Sequence, residues 1–127
     1  MENILDRFLR YVAVDTQSDP DSESQPSSAK QTVLLKMLKD ELNALGIEAT
    51  LDEYGYVMAT IPSNCGAGIP AVGFIAHVDT APDASGADIR PQIIKDYNGE
   101  DILLNSRTGL SLKVEDFPEL LSYKGQT

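Results

Sequence analysis

Near the start of the chain, Ile4, Leu5, Phe8, Leu9 and Val12 fall on one side at helical spacing, which predicts a first helix from about Asn3 to Val14. The next stretch, DTQSDPDSESQPSS, is polar and interrupted by Pro20 and Pro26, so it reads as a loop. Ser28 followed by Gln31 has the spacing of a capping box and opens a second predicted helix. Leu34, Leu38, Leu42 and Leu45, with Met37, form its apolar stripe, read as core, and Gly46 supplies the stop. In IEATLDEY, Ile47, Ala49 and Leu51 alternate with Glu48, Thr50 and Asp52, the pattern of a half-buried strand. Gly55 marks a tight turn, and YVMATIP is the expected hairpin partner.

A loop from Pro62 to Pro70 separates this hairpin from AVGFIAHVD, where the apolar residues are continuous. Continuous apolar runs are typical of strands buried on both faces, so this segment is expected to be a buried strand ending at His77. Beyond Pro82 the pattern weakens. PQIIKDY reads as a short strand, residues 111–114 as another, and FPELLSY as a helical turn; YKGQT offers no closing element. There is no internal repeat. The expected fold is α/β: one incomplete domain over residues 1–127, with two helices packed on a mixed sheet.

Composition narrows the function classes. The chain has 127 residues, 42% of them hydrophobic, which is enough for a globular core. Its 20 acidic and 10 basic residues give a net charge of −10, which argues against nucleic acid or an anionic membrane as a partner; it is compatible with cations or cationic substrate ends such as an amino terminus, but reads first as a source of solubility. Cys65 is the only cysteine, so no disulfide forms within the chain. The amphipathic, charged start lacks the apolar core of a secretory signal, and no run approaches the roughly 20 residues of a membrane span. A cytoplasmic location is the expectation. Asp15, Asp19, Asp21 and Glu23 crowd the first loop, but without the ligand spacing of a calcium loop they read as a solvated segment.

The chemistry concentrates in GFIAHVDTAPD. His77 is the only histidine, and residues two apart on an extended chain share a face, so His77 and Asp79 sit side by side. At the carboxyl end of a sheet strand, where ligands bind, one imidazole nitrogen could ligate zinc while the carboxylate takes the other and fixes the tautomer. The same pair also serves as an ordinary hydrogen-bonded structural residue, and the spacing alone leaves both readings open. Pro82 helps to end the strand.

GFIAHVDTAPDASG resembles the metal-site segment of the peptidase T family, tripeptide aminopeptidases within the co-catalytic zinc peptidases and acylases. LDRFLRYVAVDTQS, QPSS, LKDELNALGIEATLDEYGYVMATIPSN and PQIIKDYNGEDILL resemble the same family in the same order. The resemblance implies that His77 ligates one of two zinc ions and that Asp79 is the catalytic acidic residue orienting it. Asp83 receives no role, and substrate-binding residues are not assigned. The family's remaining ligands and its general base have no matching positions, so the chain is expected to be the N-terminal piece of a longer zinc aminopeptidase acting on tripeptides or short peptides. Alone it should be inactive, bind zinc at most weakly, and self-associate through surface that later sequence would cover. The competing readings are a fragment of a related zinc carboxypeptidase or amide deacylase, and a non-catalytic, self-associating α/β module.

Overall fold

The structure, a computed structural model, describes residues 2–66 and 68–127; Met1, and Ala67 in the expected Pro62–Pro70 loop, lie outside the described residues. It forms two compact units, residues 1–89 and 90–127.

In the first unit, α1 (Ile4–Val12) starts where Asn3 Oδ1 accepts the Asp6 amide at 2.8 Å, satisfying a first-turn N–H. Asp6 in the first turn and Arg10 in the last complement the helix dipole. The helix ends two residues before the expected Val14, because residues 16–18 must extend to pair with Thr80. Its apolar stripe is largely uncovered: Ile4, Leu5 and Phe8 are exposed. Polar contacts tie α1 to α2 (Gln31–Ala44) instead, since Arg10 and the Tyr11 hydroxyl both donate to the Glu41 carboxylate. The Arg10 guanidinium also lies 5.2 Å from the Tyr11 ring centre.

The expected capping box does not form. Residues 28–30 make a turn, the Ser28 carbonyl accepts the Gln31 amide, and the Gln31 side chain donates to Ser27 Oγ at 3.2 Å. At the other end Gly46 adopts φ +80°, and the Ile47 amide returns to the Leu42 carbonyl at 3.0 Å, as expected for a glycine stop. Leu34 and Leu35 are the buried α2 leucines, whereas Leu45 is exposed. They face the hairpin of β1 (Ala49–Leu51) and β2 (Val57–Ala59), which pair antiparallel with Thr50 opposite Met58. Gly55 turns this hairpin at φ +87°; a Cβ there would sit 3.0 Å from Pro26 Cγ and 3.3 Å from Leu35 Cδ1. The position therefore needs glycine for both its dihedral and its space.

The sheet expectation requires correction. There is no mixed sheet among the described residues: the two sheets are separate antiparallel pairs, and only α2 packs on one. Residues 71–79 form no strand, and Phe74 and Ile75 are fully exposed. The apolar run has no neighbouring strand among the described residues to complete its hydrogen bonds, so the buried strand ending at His77 is not formed there.

In the second unit, β3 (Ile102–Asn105) pairs with β4 (Leu110–Leu112) across a bulge between Leu103 and Asn105. β4 overlaps the strand expected at 111–114, β3 was not expected, and PQIIKDY is not a strand. The 3-10 helix Pro118–Tyr123 matches the expected helical turn. The final residues do close this unit: the Tyr97 amide donates to Gln126 O at 2.9 Å and the Gly125 amide to Tyr97 O at 2.7 Å. Tyr97 is buried as a result.

Candidate functional site

The backbone from Gly73 to Asp79, which forms neither helix nor strand, brings the side chains of His77 and Asp79 together, as their spacing predicts. The His77 Nδ1 and Asp79 Oδ1 atoms are 3.0 Å apart. A carboxylate only accepts, so Nδ1 donates in this contact, and in a neutral ring Nε2 is left with the lone pair. The pair is open to solvent, with side-chain exposures of 82% for His77 and 49% for Asp79. An exposed contact of this kind stabilises the chain by about 0–1 kcal/mol, so it needs a backbone that holds the two residues in place.

That support begins one residue later, in the polar loop after α1. The Thr80 amide donates to Thr16 O at 3.2 Å, and the Ser18 amide and hydroxyl both donate to Thr80 O at 2.9 and 3.0 Å. The Gln17 side-chain amide donates to the carbonyls of Pro82 and Ala84, each at 3.0 Å. Asp15 accepts from the Gln17 amide at 3.1 Å and pairs with Lys30 at 2.8 Å, which connects this loop to the turn before α2. Lys30 first, and then the Gln17 N–H, hold the Asp15 carboxyl below the ordinary carboxylate range. Gly86 closes against the same group: a Cβ there would lie 2.7 Å from Asp15 Oδ1 and 3.3 Å from Thr80 Oγ1.

Sequence reasoning placed His77 and Asp79 together and missed Asp15, Gln17, Lys30 and Gly86. Apart from the local bond between Asp15 and the Gln17 amide, the contacts that join them span 15 or more residues, so no local pattern marks them. Asp83 does not join the His77–Asp79 pair. Asp15, Asp19, Asp21 and Glu23 do not gather; among the described residues no three His, Cys, Asp or Glu side chains converge. Toward a zinc ion, the donor set present here fits one corner of a site. One imidazole has its second nitrogen engaged by a carboxylate, which is the usual arrangement for a ligating histidine.

No protein-family model matches the chain. Curated relatives do match along its whole length, and they carry the name peptidase T; the chain is similar to part of each of them. It is 54% identical over 125 residues to peptidase T of Brevibacillus brevis, covering 98% of this chain and 30% of that protein. It is 52% identical over 125 residues to peptidase T of a Geobacillus species, again covering 98% of this chain and 30% of the relative. With peptidase T of Alkaliphilus oremlandii the identity is 52% over 130 residues, spanning 100% of this chain and 32% of that protein. The chain thus spans about a third of the length of these relatives.

Proposed function

We propose that this chain is the N-terminal, metal-binding portion of a zinc-dependent aminopeptidase that removes the first residue from tripeptides in the cytoplasm. One observation carries the reading: a carboxylate-held imidazole, in a chain about half identical along its whole length to peptidase T. His77 offers Nε2 as a zinc ligand. Asp79 accepts the Nδ1 proton, fixing the tautomer and raising the basicity of the ligating nitrogen. Bound zinc would polarise a scissile carbonyl and lower the pKa of an attacking water. The other ligands and the general base belong to the rest of the protein, so residues 1–127 alone hydrolyse no peptide. The negative charge of the chain suits substrates with a free amino terminus and disfavours nucleic acid. No helix among the described residues is long and apolar enough to cross a membrane.

The test is a graft. Residues 1–127 replace the matching third of the Geobacillus peptidase T, and zinc-dependent tripeptide hydrolysis is measured. The hybrid should be active, His77→Ala should abolish activity, and Asp79→Ala should lower activity or zinc affinity by about 10–100-fold. A folded, zinc-loaded hybrid that keeps full activity with His77→Ala would refute the assignment.

A further inference from the structure

We propose that Gln17 is a positioning residue for the His77–Asp79 pair, acting through the turn at residues 80–84. His77 and Asp79 lie on a segment whose preceding residues pair with no strand, and both are open to solvent. Among the described residues just upstream, 68–76 make no hydrogen bond. The first anchored residue is Thr80, and the anchoring loop is residues 16–18. Within that loop Gln17 is the side chain that reaches farthest: both of its amide protons are used, one on Pro82 O and one on Ala84 O. This pins the chain where it turns away from Asp79. The Thr80 bonds hold one point of the turn, and the Gln17 bonds hold two more, at residues 82 and 84.

A weak, solvent-exposed contact persists only where the backbone has already fixed its two groups. The Gln17 bridge supplies that restraint from 60 or more positions away in sequence. Removing it should loosen the carboxylate from the imidazole without touching either group. The inference concerns the geometry of the pair in the chain itself. It bears on catalysis only through the metal-ligand reading above, and its test does not depend on that reading.

His77 is the only histidine, so its imidazole nitrogens give an unambiguous long-range 1H–15N spectrum. The spectrum is recorded on the 127-residue chain at about pH 8.5, above the ordinary imidazole range near 6.5. Wild type should show the Nδ1–H tautomer in excess, and Asp79→Ala should lose that excess. Gln17→Met keeps the length of the side chain and removes its donors. It should move the tautomer ratio to the Asp79→Ala value while the backbone amide spectrum stays folded. A wild-type ratio in a folded Gln17→Met chain would overturn the proposal. A measurement without any variant guards against misfolding: the Gln17 side-chain amide protons should exchange with solvent more slowly than those of a glutamine in an unstructured peptide. Exchange as fast as in the peptide would overturn the proposal equally. Failure of the peptidase hybrid with the tautomer result intact would sink the catalytic reading and leave this one standing.

Discussion

Gly86→Ala probes the packing between the His77 segment and the loop that holds it. The backbone at Gly86 does not demand glycine by its dihedral; space does. An added Cβ would meet Asp15 Oδ1 at 2.7 Å, against the 3.4 Å or more of an ordinary contact, with Thr80 Oγ1 at 3.3 Å behind it. Asp15 is not free to yield, because the carboxylate facing Gly86 also accepts the Gln17 amide at 3.1 Å and pairs with Lys30 at 2.8 Å. Moving it weakens one hydrogen bond, about 0.5–1.5 kcal/mol. The lost surface ion pair adds about 0–1 kcal/mol. Reduced freedom of the unfolded chain returns roughly 0.4–1 kcal/mol. The expected net is a destabilisation of about 1 kcal/mol in urea unfolding followed by circular dichroism. The decisive step is a double-mutant cycle. In an Asp15→Ala background the obstacle is gone, so Gly86→Ala should be neutral or slightly stabilising, with a coupling of about 1 kcal/mol. Additive effects of the two substitutions would refute the contact.

Three further outcomes are expected. Leu35→Ala should destabilise by about 2–4 kcal/mol in the same assay, because Leu35 is buried between α2 and the β1–β2 hairpin; a loss under about 1 kcal/mol would mean that this core is not packed as described. Asp15 and Glu41 both titrate below their ordinary values, Asp15 through Lys30 and Gln17. Burial of Glu41 acts the other way and is outweighed by the hydrogen bonds from Tyr11 and Arg10. Depressed carboxyls stabilise the fold above their unfolded pKa of about 4 and lose that contribution as pH falls through the folded value, so stability should drop below about pH 4, and Lys30→Met should flatten part of that drop. Phe74→Lys with Ile75→Lys should reduce self-association in sedimentation velocity, because these exposed apolar residues flank unpaired backbone; unchanged association would place the contact elsewhere.

What was legible in the sequence was local. Helical spacing located α2, Gly46 stopped it, and alternation around Gly55 produced the β1–β2 hairpin, because each signal and its consequence lie within a few residues. The His77–Asp79 contact was legible for the same reason: a two-residue spacing puts the groups within reach of each other. The capping box failed because Gln31 found Ser27 a better partner than the Ser28 amide, a choice that spacing does not register. β3 was hidden because ILLN offers only three apolar residues, without alternation, inside turn-rich sequence. The support around Thr80 was invisible because Gln17 and its acceptors are 65 and 67 residues apart.

The run at residues 71–79 carries a different lesson. Its continuous apolar residues describe a strand covered on both sides, and that property belongs to a sheet rather than to a segment. Here the neighbours are absent, and the same residues lie exposed. The chain spans only about 30% of its peptidase T relatives, while matching them at about half identity throughout. The run at 71–79 suits a strand with sheet neighbours, which the described residues do not supply. The His77–Asp79 contact forms without those neighbours: the two-residue spacing brings the groups within reach, and the following turn is pinned by residues 16–18 of this same chain. The pair can thus be organised while the run that leads to it lies exposed. That ordering has a consequence in the graft experiment: adding the remaining two thirds of a peptidase T should protect the 71–79 amides from hydrogen exchange, while the His77 tautomer stays as it is in the short chain. A tautomer that changes only when those amides become protected would mean that the sheet, and not the Gln17 loop, sets the imidazole.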